Sequence, residues 1–186
     1  SKIFDITEEN NYYAIVNENL ETKLVKIVNG QRLENSITIS NSNIIDIEAV
    51  NDNTVNIVVK ENENKLEILK IDFENVQILE RYNIYTENEE NVENRLVKLN
   101  EKENELTILT TDKTKTDVSI YTLSNVKNKE LKTVEPKTLS VSKGTNENSF
   151  NKYEIKAFTV VNNKIHIIEE KDVNLTQQEE KKEEKE

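Results

Sequence analysis

The chain has 186 residues, a formal net charge of −11 and a sequence pI of about 4.8. So acidic a protein is repelled by phosphate backbones and anionic lipid, which argues against nucleic-acid and membrane-surface partners. It holds no Cys, which excludes disulfides, thiolate metal sites and Cys nucleophiles. No apolar run approaches the roughly 20 residues of a spanning helix, so membrane insertion is not expected.

The dominant hydrophobic period is two, the signature of half-buried strands. In chain order the first set of strands is predicted near 3–7, 12–16, 22–28 and 32–39. A second set falls near 44–50, 54–60, 65–72 and 76–84, and a third near 95–99, 105–110, 117–123 and 130–140. A fourth begins at 153–161 and 164–169 and then meets a charged tail. Units of about 1–40, 41–85, 93–140 and 150–169 follow, with 170–186 as the tail. Residues 177–186 lack any apolar side chain and belong to no core.

Short Asn-rich connectors such as Asn17-Glu18-Asn19, Asn51-Asp52-Asn53 and Glu61-Asn62-Glu63-Asn64 read as hairpin turns. Gly occurs only at Gly30 and Gly144, so Asn is expected to supply the left-handed turn positions. Two longer polar connectors interrupt the meander. The stretch 86–102 is expected to be a surface loop, with a short helix capped by Thr86 and Glu89 as the alternative. Lys143 to Asn148 is the second connector.

A hairpin phrase recurs with varied loops. It runs Asp46-Ile47-Glu48-Ala49-Val50 to Thr54-Val55-Asn56-Ile57-Val58-Val59, and again Glu154-Ile155-Lys156-Ala157-Phe158 to Lys164-Ile165-His166-Ile167-Ile168. A looser copy joins Leu96-Val97-Lys98-Leu99 to Leu106-Thr107-Ile108-Leu109. The third strands also match, at 23–29, 66–72 and 118–124, with copies about 44 to 52 residues apart. Such self-similarity marks a repeat architecture. The hairpin at 154–168 and the strand Val118-Ser119-Ile120-Tyr121-Thr122-Leu123-Ser124-Asn125 resemble blades of a divergent, bacterial secreted type of β-propeller. The chain lacks Trp and paired glycines, so neither the WD40 nor the kelch signature is present. The resemblance implies all-β, antiparallel four-stranded units in an open or fragmentary propeller-like array. A β-sandwich or barrel is the alternative.

Several residues are tested for chemistry. His166, the single histidine, sits between Ile165 and Ile167 and is expected to face solvent as a structural residue. Asp46, Glu48 and Glu154 are carboxylates on inner strands that could form a glycosidase-like pair, although surface solvation explains them equally. Asn51-Asp52-Asn53, Glu61 to Asn64 and Asp112 to Asp117 lack the Gly and the spacing of calcium loops. Tyr12-Tyr13 and Tyr82 with Tyr85 could form a carbohydrate or peptide platform, or cover strand ends with their hydroxyls in water. Asn174-Leu175-Thr176 is a glycosylation sequon of low specificity in an Asn-rich chain.

No catalytic, cofactor-binding or metal-binding residue is assigned, and no cofactor is expected. The sequence is read as a non-catalytic protein-binding or scaffolding module of a larger assembly or longer chain. The absence of Met is read as the mark of a processed or excised piece. Expected partners are another protein or a neighbouring domain, then a glycan, with self-association possible. The alternatives are a surface-layer or filament subunit and a propeller-type carbohydrate-active protein. Absent Cys and the charged tail favour an extracellular or cell-surface location over the cytoplasm.

Overall fold

The computed structural model describes residues 2–8, 10–40, 43–87, 92, 94–142 and 153–171. The fold is all-β. Four strands, β1 (Lys2–Glu8), β2 (Asn11–Glu18), β3 (Glu21–Val28) and β4 (Gln31–Ile39), pair in that order as the first antiparallel sheet. The second sheet is β5 (Ile44–Ala49), β6 (Thr54–Asn62), β7 (Lys65–Asp72) and β8 (Gln77–Tyr85). The third is β9 (Asn94–Asn100), β10 (Glu105–Thr111), β11 (Lys115–Thr122) and β12 (Lys137–Ser142). The fourth has two strands, β13 (Tyr153–Val161) and β14 (Lys164–Lys171). None of these sheets closes into a barrel.

The sheets stack face to face. Tyr13, Ile15, Leu24 and Ile39 of the first sheet meet Ile47, Val55, Ile57, Leu69 and Ile71 of the second. The other face of the second sheet presents Val58, Leu66, Ile68, Tyr82 and Ile84 to Val97, Leu99, Leu106 and Ile108 of the third. Because β6 and β7 are covered on both faces, their sequences lose strict alternation and read Val-Asn-Ile-Val-Val and Leu-Glu-Ile-Leu-Lys-Ile. The third sheet then packs Leu109 and Val118 against Ile155 and Phe158 of the hairpin. First strands are neighbours throughout: β1 lies beside β5, β5 beside β9, and β9 beside β13.

The three copies of the hairpin phrase are the pairs β5–β6, β9–β10 and β13–β14, each the first pair of its sheet. A register shift between Ile3 and Asp5, between Ile44 and Asp46, and between Ile155 and Ala157 bends three of the four first strands at like positions. The turn chemistry follows the Asn expectation. Among the described residues, nine non-Gly positions have positive φ and seven are Asn. The two-residue loops Asn29-Gly30 and Asn162-Asn163 have positive φ at both positions, as a type I′ hairpin requires.

One expected strand is corrected. Residues 130–140 do not form a continuous strand. Helix α1 (Leu123–Val126) and a 3-10 turn (Leu131–Thr133) precede β12. The alternation around Leu131, Thr133 and Pro136 mimics a strand, but Leu123, Val126 and Leu131 turn inward to the core between the second and third sheets. This connector also borders the outer edge of the second sheet. Asn128 donates its backbone N–H to the Asn83 carbonyl at 2.7 Å, and Tyr85 donates to the Lys129 carbonyl at 3.0 Å. Tyr85 and Glu130 form a parallel bridge. An edge that would offer unpaired backbone groups is thereby closed over these residues.

The stretch 86–102 is not a surface loop throughout, because β9 occupies Asn94–Asn100; residues 88–91 and 93, where the short helix was the alternative, lie outside the described residues. Thr86 instead donates its backbone N–H to the Asn64 carbonyl at 2.8 Å and its hydroxyl to the Glu63 carbonyl at 3.3 Å. Glu89, the connector from Lys143 to Asn148, the sequon at Asn174 and the tail from 172 onward lie outside the described residues.

Candidate functional site

The densest polar feature is a row that crosses the second sheet and faces the third. Glu48 on β5, Asn56 on β6, Lys70 on β7 and Glu80 on β8 are successive register partners. They therefore project from the same face of the sheet. Each is bonded. The Asn56 side-chain amide donates to Glu48 Oε1 at 3.0 Å, and Asn56 is only 2% exposed. Glu48 also accepts the Glu101 backbone N–H, at 2.8 Å on Oε2 and 3.1 Å on Oε1. Lys70 Nζ reaches the Glu101 carboxylate at 3.0 Å. At the far end Lys127, just beyond α1, pairs with Glu80 at 2.9 Å and lies 4.6 Å from the centre of the Tyr82 ring.

Asp46 stands two residues before Glu48 on the same face. Its Oδ2 accepts the Leu99 backbone N–H at 2.8 Å. Leu99 and Glu101 are two apart on β9 and its following turn, so two carboxylates spaced i, i+2 on β5 match two N–H groups spaced i, i+2 beside it. The side chains replace a backbone ladder between strands of different sheets. Burial pushes the Asp46 carboxyl up to about 7, with Glu48 adding to the rise while the Leu99 and Ile47 N–H groups and Lys98 oppose it.

This geometry decides what the two acids can do. Each has its oxygen atoms directed at the backbone of the next sheet, an arrangement that holds strands and leaves no acid–nucleophile pair aimed at a shared opening. The Glu154 side chain lies outside the described residues. His166 is exposed opposite Thr159, while Ile165 and Ile167 pack toward the third sheet, as the alternation predicted. Its ring makes no hydrogen bond among the described residues, so no base–nucleophile set forms around it.

The tyrosines do not form a platform. Tyr13 is fully buried, edge-on to Phe73 at 5.5 Å between ring centres, and its hydroxyl donates to the Asp52 carbonyl at 2.7 Å. The hydroxyl is thus held by the β5–β6 loop and not left in water, which corrects the strand-end expectation for this residue. Lys26 donates to the same Asp52 carbonyl. Tyr82 is buried beneath Lys127, and Tyr85 is exposed.

The candidate calcium loops use their oxygens to close turns. Asn51 Oδ1 accepts the N–H groups of Asn53 and Thr54 at 3.0 and 2.9 Å. Asn62 Oδ1 accepts the Asn64 N–H at 2.9 Å. Asp112 Oδ1 accepts the Thr114 and Lys115 N–H groups and the Thr114 hydroxyl, which holds its carboxyl down at about 2. Among the described residues, no group of three His, Asp or Glu side chains is arranged to hold a metal ion. A small cleft of about 90 Å³ lies where the second and third sheets part, lined by Thr86, Glu87, Arg95, Thr110, Ser119 and Tyr121. Arg95 closes one wall by donating to the Glu87 carbonyl at 2.9 Å.

Sequence reasoning reached Asp46 and Glu48 but not Asn56, Lys70 or Lys127. Two acids on one face of an apolar strand were the available signal. Which backbone they meet depends on how the sheets stack. Among the described residues no helix is long and apolar enough to cross a membrane. Compared with protein-family models, curated proteins and solved structures, the chain matches none.

Proposed function

We propose that the chain is a non-catalytic protein-binding or scaffolding module, built as an open, propeller-like stack of sheets. The neighbouring first strands β1, β5, β9 and β13, the like-placed bulges and the face-to-face stacking support that architecture. Asp46 and Glu48, two of the three acids offered for chemistry, instead bind the backbone of the adjoining strand, which favours a mechanical role for them.

One observation carries the binding role. Among the described residues, the interface between the first two sheets buries eleven apolar side chains and the next buries twelve, whereas the interface between the third sheet and the hairpin buries four. Six further apolar residues there are only partly covered. A partly covered apolar face of this kind is suited to pack against another protein.

The test is capture of partners from lysate and envelope fractions on the immobilised full chain, with light scattering on the purified protein. A stoichiometric partner protein supports the module reading. Concentration-dependent growth of the chain with itself, and no other partner, would move the assignment to a self-assembling structural subunit.

A further inference from the structure

We propose that Lys70 and Asn56 become joined by an intramolecular amide bond, formed autocatalytically with Glu48 and Glu101 handling the protons. The bond is a covalent cross-link between β6 and β7 inside the second sheet, and it stands apart from the module reading.

Register brings the reacting groups together. Asn56 on β6 and Lys70 on β7 are direct partners. Residues so placed have Cβ atoms about 4.5–5.5 Å apart, within the reach of a lysine side chain. Glu48 on β5 is the partner of Asn56 on its other side, so three adjacent strands present acid, amide and amine in a row. The row faces the third sheet and is covered by it. Asn56 is 2% exposed, and the Lys70 and Glu101 side chains are about one quarter exposed. Such burial limits the water that competes for a carbonyl carbon.

The hydrogen bonds assign a task to each acid. Glu101 lies 3.0 Å from Lys70 Nζ, where it takes a proton from the ammonium and leaves a neutral amine. Glu48 Oε1 lies 3.0 Å from Asn56 Nδ2, the nitrogen that must leave. Nζ bonds to Asn56 Cγ, and the bond from Cγ to Nδ2 breaks. Two of the three ammonium protons pass by way of the carboxylates to Nδ2, which departs as ammonium. The balance needs no oxidant, metal or further reactant. Adjacent strands make the step unimolecular, and well-oriented partners reach effective molarities of about 10⁵–10⁸ M. Lys137 Nζ also donates to an asparagine, Asn163, but both of those residues are exposed and serve as the internal control.

Intact-mass spectrometry of the folded full chain is expected to show a loss of about 17 Da, one ammonia, from the sequence mass. Trypsin does not cut after an acylated lysine, so peptide 33–60 should appear linked to peptide 66–81. The chain has no Cys, so a linked pair cannot be a disulfide. A succinimide at Asn29-Gly30 would lose the same mass, but within the single peptide 27–32. Lys70→Arg keeps a cation beside Glu101 and is expected to hold the full sequence mass. Glu48→Gln keeps an acceptor for its partners and should form the link about a hundredfold more slowly, read as mass against time.

A wild-type chain that stays at the full sequence mass through prolonged incubation in the folded state would overturn the proposal. So would a loss confined to peptide 27–32, or a link mapped to Lys137 and Asn163. An unchanged rate in Glu48→Gln, or a link that persists in Lys70→Arg, would overturn it as well.

Discussion

Asp46 Oδ2 accepts the Leu99 amide N–H at 2.8 Å, so a half-buried carboxylate on the first strand of one sheet holds the first strand of the next. The neighbouring bond from the Glu101 N–H to Glu48 repeats the device one pleat further along. Apolar stacking alone is non-directional. These two acceptors give the second and third sheets a fixed register, and changes at them have readable consequences.

The Asp46 carboxyl titrates near 7 in the fold against an ordinary value of 3.8. Its folded form is therefore raised, and the stability it contributes is present in full below about 3.8 and is lost as pH rises through about 7. The wild-type chain is expected to melt at a higher temperature at pH 5 than at pH 8. Asp46→Asn keeps an acceptor for Leu99 without the buried charge. It should be more stable than wild type at pH 8, by roughly 1–3 kcal/mol, and should flatten the difference between the two pH values. Thermal melts of both proteins check this.

Glu48→Ala removes the acceptor from two donors at once, the Glu101 N–H and the buried Asn56 amide. Leaving such donors unpaired costs about 1–3 kcal/mol each when buried. Urea denaturation should show a lower midpoint by that order, with the largest loss of amide protection at the β5–β9 boundary.

Val76 holds φ at 53° on the β7–β8 turn and is about half exposed. A β-branched residue is strained in that region, where the other described positions are Asn, Gly30 and Leu20. Val76→Asn is expected to stabilise the protein by about 1 kcal/mol, read as a raised urea midpoint with an unchanged slope.

Tyr13→Phe removes the hydroxyl that binds the Asp52 carbonyl but leaves that oxygen its bond from Lys26. The cost is therefore expected at the low end of the range for one hydrogen bond, about 0.5–1 kcal/mol. Tyr13→Phe combined with Lys26→Met strips both donors from the oxygen. It should lose more than the sum of the single changes in a double-mutant cycle.

Much of the fold was legible because the physics was local. Alternation located the strands, and Asn marked left-handed turns since it tolerates positive φ with little penalty. The recurring hairpin phrase marked the first pair of three sheets. The strand expected at 130–140 was misread because its period-two pattern begins in a connector whose Leu131 points into a core between sheets, a tertiary outcome. The polar row was half legible. Asp46 and Glu48 stand out as acids in an apolar strand, but Lys70 and Glu80 look like ordinary solvent-facing positions of β7 and β8. Their alignment with Asn56 depends on cross-strand register, and Lys127 joins them from a connector 47 residues beyond Glu80.

Hydrogen exchange of the full chain tests the central claim most directly, because a stack of separate sheets in which β14 pairs only with β13 among the described residues predicts graded protection. Amides of β6, β7 and β10, paired on both sides, are expected to exchange slowly, and those of β14 faster by orders of magnitude through local opening. Protection of β14 equal to that of β6 in a monomer would contradict the account, since its edge would then already be filled.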